Sequence, residues 1–153
     1  MNKCKLLLVL VVSLLSVVSS SFAQKSKLHA GAVIGNPTGL TVKYWFNSLN
    51  ALEGTASWDT SNEQNSVHVN ITYLIHSFNY LDIRDNPLAL FYGVGGKIIT
   101  NQDIALGVRG VAGSAYFFTS FPVDISLELA PVFYISPSST VDLDAGLGIR
   151  YHF

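Results

Sequence analysis

Several sets of residues in this 153-residue chain have types that could do chemistry. In Gly93-Val94-Gly95-Gly96-Lys97, glycines precede a lysine, as in loops that cradle phosphate on backbone N–H groups. The spacing is wrong for such a loop, and no serine or threonine follows the lysine. A strand with glycines on one face fits better. Ser66, His68 and His76 share one parity. A serine beside a histidine is the start of a nucleophile–base pair, and two histidines are the start of a metal site. Residues eight apart on a strand, however, lie about 26 Å apart, and no acid can be assigned to complete a triad. Structural or interfacial histidines are the simpler reading. Asp124, Glu128, Asp142 and Asp144 suggest a cation site or paired catalytic carboxylates. Carboxylates two apart on one face are equally common in an ion-paired lumen. No catalytic residue, metal or cofactor is therefore expected. The sequon Asn70-Ile71-Thr72 reads as incidental. Tyr44, Trp45, Trp58, Tyr73, Tyr151 and Phe153 could cage an aromatic ligand. Aromatics at strand ends are more simply a girdle at a membrane interface, although Trp45 has the opposite parity.

The elements that must hold these residues are clearest at the C-terminus. From 140 to 153 the chain alternates without an error: Val141, Leu143, Ala145, Leu147, Ile149, Tyr151 and Phe153 on one face, Asp142, Asp144, Gly146, Gly148, Arg150 and His152 on the other. Period-two alternation specifies a strand between two environments. Upstream, turn signals divide the chain into further strands at about 28–35, 40–46, 51–58, 66–76, 88–99, 104–118 and 123–135. Most are near the ~9–11 residues needed to cross a bilayer at a tilt. No segment has a helical period, and there is no internal repeat or linker.

Nine charges lie within the expected strands: Lys43, Glu53, Lys97, Arg109, Asp124, Glu128, Asp142, Asp144 and Arg150. Each falls opposite the apolar row of its own strand. The apolar row carries none, as a lipid-facing surface requires, because a charge there costs up to ~2–4 kcal/mol at mid-membrane. The fold expected is all-β: an eight-stranded antiparallel up-and-down transmembrane β-barrel. A soluble secreted barrel of lipocalin type is the fold alternative. With four cations and five acids on the inward face, the expectation is a lumen plugged by an ion-pair network, since an eight-strand interior is only wide enough to be filled by side chains. Arg109, Glu128 and Arg150, on consecutive strands, are its expected centre. Gly93, Gly95, Gly107, Gly113, Gly146 and Gly148 would make room for larger neighbours, Gly146 and Gly148 for Glu128 among them.

Composition agrees. Charged residues are 12% of the chain, against about 25% in ordinary soluble domains. A formal net charge of −1 shows no nucleic-acid footprint. The first residues read as a cleavable signal peptide, 1–23: a basic start, an apolar run over 6–18, and Ser21-Phe22-Ala23 as a cleavage site. The barrel domain would then be 24–153. The single cysteine, Cys4, falls in the leader, so disulfides, thiol nucleophiles and thiolate metal sites are excluded from the mature part. With both termini on the periplasmic side, 36–39, 59–65, 100–103 and 136–139 become the outer loops, and 77–87 becomes an unusually long periplasmic connection, which either marks a periplasmic contact or in part extends the flanking strands.

Four segments in order carry a resemblance. They are Gly35-Asn36-Pro37-Thr38-Gly39-Leu40 running into Lys43-Tyr44-Trp45, then Tyr92 to Lys97, Leu127 to Val132, and Gly146 to Phe153. Together they resemble the small, uncharacterised outer-membrane β-barrel proteins of spirochaetal type, allied to the OmpA/OmpX-like eight-stranded barrels. The likeness covers nearly all of the mature chain. The chain departs from the pattern at Val111, where proline is expected, and at Lys97, where arginine is common. The resemblance implies the bacterial outer membrane and no established activity. Ile149, Tyr151 and Phe153 resemble the C-terminal signal read by the barrel-assembly machinery. The expected partners are outer-membrane lipid and that machinery, with no nucleic acid, and the chain is expected to be a monomer. The function expected is a non-enzymatic envelope protein, structural or acting through its loops. The alternative is a narrow channel or small-solute transporter, and a lipid-modifying enzyme ranks third.

Overall fold

The computed structural model describes residues 27–59, 66–83, 86–100 and 103–153, and the expected signal peptide lies outside them. Eight strands follow in order: β1 Leu28–Asn36, β2 Gly39–Trp45, β3 Asn50–Asp59, β4 Ser66–Ile83, β5 Asn86–Thr100, β6 Ile104–Phe117, β7 Val123–Ser136 and β8 Thr140–His152. Each pairs antiparallel with its sequence neighbour, and β8 pairs with β1 to close the barrel. Closure removes both sheet edges. The closing register runs from His29 opposite His152 to Asn36 opposite Ala145.

Local chemistry sets the short turns. Between β1 and β2, Thr38 Oγ1 accepts from Gly35 N–H at 3.2 Å and donates to Gly35 O at 3.0 Å. Between β2 and β3, Asn47 Oδ1 accepts from the N–H groups of Leu49 and Asn50 at 2.9 and 2.8 Å. These are side-chain–backbone bonds of the kind for which Thr and Asn are favoured in turns.

Of the two readings of 77–87, extension of the flanking strands is the one found. Ser77 to Ile83 belong to β4, and Asn86 and Pro87 open β5; Asp82 pairs with Pro87 and Ile83 with Asn86. The register shifts between Ser77 and Leu81. Such an irregularity lets a hairpin continue where the strict pairing fails, so turn-forming residues near the tip do not end the strands.

Parity sorts the side chains as the alternation requires. Among the described strand side chains, no outward position carries a charge. Leu40, Val42, Ile71, Val94, Leu127 and Leu129 stand exposed on that face. So extensive an apolar exterior is not a water-facing surface; it is a lipid-facing one. Tyr44, Phe46, Tyr73, Tyr151 and Phe153 are exposed on it too, with ring contacts Tyr44–Phe46 at 5.5 Å and Tyr151–Phe153 at 5.1 Å. They sit towards the end where β1 begins and β8 ends, as an aromatic girdle would.

The interior is not uniformly polar. Leu74, Phe91, Val111, Ala115 and Ala130 form an apolar cluster with Phe117 packed against it. Inward glycines make the fit possible. A Cβ at Gly148 would lie 2.6 Å from Ser126 Oγ and 3.2 Å from the Arg150 guanidinium, and one at Gly113 would lie 2.5 Å from the Phe91 ring. At Gly146 the nearest neighbour is Val33, at 2.6 Å, with Glu128 only at 3.8 Å. The space at Gly146 therefore serves Val33 first.

Candidate functional site

Eight of the nine strand charges converge in the lumen and are buried: Lys43, Glu53, Lys97, Arg109, Asp124, Glu128, Asp144 and Arg150. Asp142 differs. It lies on the lumen parity but is exposed near the start of β8, where its Oδ1 accepts from Leu143 N–H at 2.8 Å. Register explains the difference: Asp142 pairs with Val132 near the end of the barrel, whereas Asp144, one pleat deeper, reaches Lys97.

The buried charges form two groups. Near the end carrying the β1–β2 turn, Lys97 Nζ donates to both oxygens of Asp144 at 2.6 and 2.8 Å. Arg109 meets Glu128 at a longer 3.4 Å. A space of about 10 Å³ remains among Thr55, Asn70, Arg109, Glu128 and Asp144, roughly room for one water.

At mid-lumen, Arg150 is the hub. Its NH2 donates to both Glu53 oxygens at 2.9 Å, and its NH1 donates to Asp124 Oδ1 at 3.2 Å and Ser126 Oγ at 2.8 Å. Glu53 is shared, because Lys43 Nζ lies 3.1 Å from its Oε2. That contact is an ion pair without an aligned hydrogen bond. Lys43 also sits over the Phe91 and Trp45 rings at 5.1 and 5.9 Å. The expected centre of Arg109, Glu128 and Arg150 is thus corrected. Register sets Asp124, not Glu128, opposite Arg150, and Glu128 opposite Gly146. Arg150 then meets Glu53 from across the lumen, and Arg109–Glu128 is a separate pair.

The end where the termini meet is built differently. His29 Nδ1 lies 3.0 Å and His152 Nε2 2.9 Å from the same Asp124 Oδ2. The two imidazoles stack at 3.7 Å between centroids. Trp45 Nε1 lies 3.3 Å from the same His29 Nδ1, which cannot accept from the indole while it donates to Asp124. A cavity of about 590 Å³ opens here, lined by His29, Trp45, Phe78, Phe117, His152 and neighbours. Trp45 accordingly faces the cavity, unlike the exterior aromatics. His29 drew no attention in the sequence. Its inward parity on β1 and the necessity that β1 meet β8 were the signals that set it beside His152.

The Ser/His candidates separate. Ser66 Oγ and His68 Nε2 are 2.9 Å apart near the start of β4. His76 lies towards the other end, its Nδ1 3.3 Å from Leu49 O and its ring 4.3 Å from Trp45. The glycines of 93–97 lie within β5 and pair with β4 and β6, so they form no phosphate loop.

No protein-family model matches the chain, and no curated protein matches it. Two solved structures are similar. One is the N-terminal β-barrel domain of Pseudomonas aeruginosa OprF, at a TM-score of 0.59 and 13% identity, covering 85% of this chain and 100% of that one. The other is Neisserial surface protein A, at a TM-score of 0.48 and 13% identity, covering 82% of this chain and 93% of that one. At this identity the likeness to the OprF domain is one of fold: an eight-stranded outer-membrane type of barrel.

Proposed function

We propose that the chain is a bacterial outer-membrane β-barrel without a catalytic role, whose lumen is a narrow conduit for ions or very small solutes, held closed at mid-height by the Lys43–Glu53–Arg150–Asp124 layer. The observation that carries this reading is the polar, incompletely paired lumen. Thr41 Oγ1, Asn70 Oδ1 and Thr72 Oγ1 are buried there without a protein hydrogen-bond partner among the described residues. Polar atoms are not left so in a dry interior, so the lumen is wetted. A barrel that needed only filling gains nothing from buried ions, because apolar replacements are often as stable or more so. Glu53, shared by two cations, is the natural switch: it can give up Arg150 and keep Lys43 without standing bare.

A second reading is favoured by the near-complete burial of Arg150 and Lys43, each 1% exposed. In it the layer is a permanent plug, and the protein is a structural element or a platform acting through its loops. Single-channel recording in planar bilayers separates the two. The conduit reading expects brief, reproducible openings, and the plug reading expects none. The apolar exterior and the likeness in fold support the outer-membrane location. The girdle beside the termini supports a periplasmic position for both, with Ile149, Tyr151 and Phe153 offered to the assembly machinery. The four-segment resemblance supports kinship with the spirochaetal type. Membrane fractionation with heat-modifiable migration tests the location: recovery in the soluble periplasm would end this reading. A lipid-modifying role for Ser66 and His68 would show as an altered lipid profile in a deletion strain.

A further inference from the structure

We infer that His29, Asp124 and His152 form a binding site for a divalent transition-metal ion of the zinc class, set across the closing seam of the barrel and open to the terminus-end cavity. Among the described residues these three form a group whose ligand atoms all lie within 4.8 Å of one another. They come from three strands: His29 from β1, Asp124 from β7, His152 from β8. His29 and His152 are direct partners in the β1–β8 register.

The donor set selects the ion. Two imidazole nitrogens and one carboxylate oxygen suit zinc and its first-row neighbours, whereas calcium and magnesium prefer all-oxygen shells. The spacing is close to what an ion needs. Two ligands each about 2.0–2.1 Å from a tetrahedral ion stand about 3.3 Å apart, and the His29–Asp124 and His152–Asp124 separations are 3.0 and 2.9 Å. The rings stack at an interplanar angle of 17°, so each must turn as well as shift for the two nitrogens to converge on one ion. Asp124 is held from behind by Arg150, which takes Oδ1 and leaves Oδ2 to the histidines. An outer partner of this kind orients a ligating carboxylate. Three protein ligands leave a coordination position free, and both histidines line the cavity of about 590 Å³. That cavity has room for water or a small anion as the further ligand, and an anion there would offset the charge of the ion beside Arg150. The Trp45 indole N–H, 3.3 Å from His29 Nδ1, must move aside for an ion at that nitrogen. The indole is therefore a local reporter.

The test uses the full chain purified from membranes in detergent, free of any histidine tag. Zinc is titrated calorimetrically. Cobalt is titrated by its visible absorption and by quenching of indole emission, with Trp45→Phe assigning the quench, since Trp58 lies on the exterior. One equivalent of zinc should bind, and calcium should not compete. His152→Ala and His29→Ala should each weaken binding by more than the roughly 10–100-fold that loss of an outer partner causes. His68→Ala, on another part of the lumen, should bind as the parent does. His152 is partly exposed and at the chain end, so His152→Ala keeps the test valid should His29→Ala fail to fold. Absence of stoichiometric binding, equal binding by parent and His152→Ala, or cobalt binding that spares Trp45 emission would each overturn the assignment.

Discussion

At the end of the lumen carrying the β1–β2 turn, cations and acids meet one to one. Lys97 holds both oxygens of Asp144, Arg109 faces Glu128, and only about 10 Å³ is left between the side chains. At the end where the termini meet, one carboxylate oxygen serves two stacked histidines, and aromatic rings line about 590 Å³ of open space. Both ends are built on inward-facing positions of the same strands. The first end is matched within itself and reads as filling. The second leaves donors crowded on one acceptor and space beside them, which is how a side-chain cluster stays available to something else. Between them lies the Arg150 layer, which holds Asp124 Oδ1 on one side and Glu53, from across the lumen, on the other.

Substitutions can break this contrast, and their expected effects fall in order. Arg150→Ala should be the most damaging, because it removes the partner that Glu53 and Asp124 share and leaves Glu53 to Lys43 and Asp124 to the two histidines; removing one partner of a buried pair costs about 3–5 kcal/mol. Thermal unfolding followed by heat-modifiable migration would show it, and a small shift would mean that Arg150 is not the hub. Lys97→Met should cost about 1–3 kcal/mol, the range for leaving a buried acceptor unsatisfied. Glu128→Ala should cost about 1–3 kcal/mol, for it leaves the buried Arg109 without its carboxylate, but less than Arg150→Ala because the bond lost is long at 3.4 Å. Were Glu128→Ala to match Arg150→Ala, the separation of the two groups would fail. His152→Ala, assayed in chelator, should change unfolding least, by roughly 0–1 kcal/mol, because Asp124 keeps Arg150 and His152 is partly exposed. A larger loss there would make the terminus end structural filling like its counterpart.

The barrel was legible because alternation is a local signal. The parity of 140–153 alone separates Arg150 and Asp144 from Leu147 and Ile149, and charges at Lys43, Glu53 and Lys97 repeat the lesson strand by strand. Strand ends were less legible at 77–87, where turn-forming residues lie inside a continuing hairpin and pairing across the lost register outweighs local preference. Partners within the lumen were least legible. Which acid Arg150 meets depends on the β7–β8 register and on β3 from across the barrel, and neither is written in the neighbourhood of residue 150. Glu128 looked central because Arg109, Glu128 and Arg150 lie on consecutive strands. Two pleat steps along β7 from Asp124, it stands opposite Gly146 instead. The His29–Asp124–His152 cluster joins residues 95 and 28 positions apart, and only closure of β1 on β8 brings them together.

The most direct test of the mid-lumen layer as the closure is single-channel recording of the parent protein beside Glu53→Gln in planar bilayers. Glutamine keeps the shape of the residue shared by Lys43 and Arg150 and removes the charge that holds both. The parent should show brief, infrequent openings, and Glu53→Gln should lengthen them at unchanged single-channel size. Silence from both proteins, or equal open times in the two, would contradict a lumen closed by this layer.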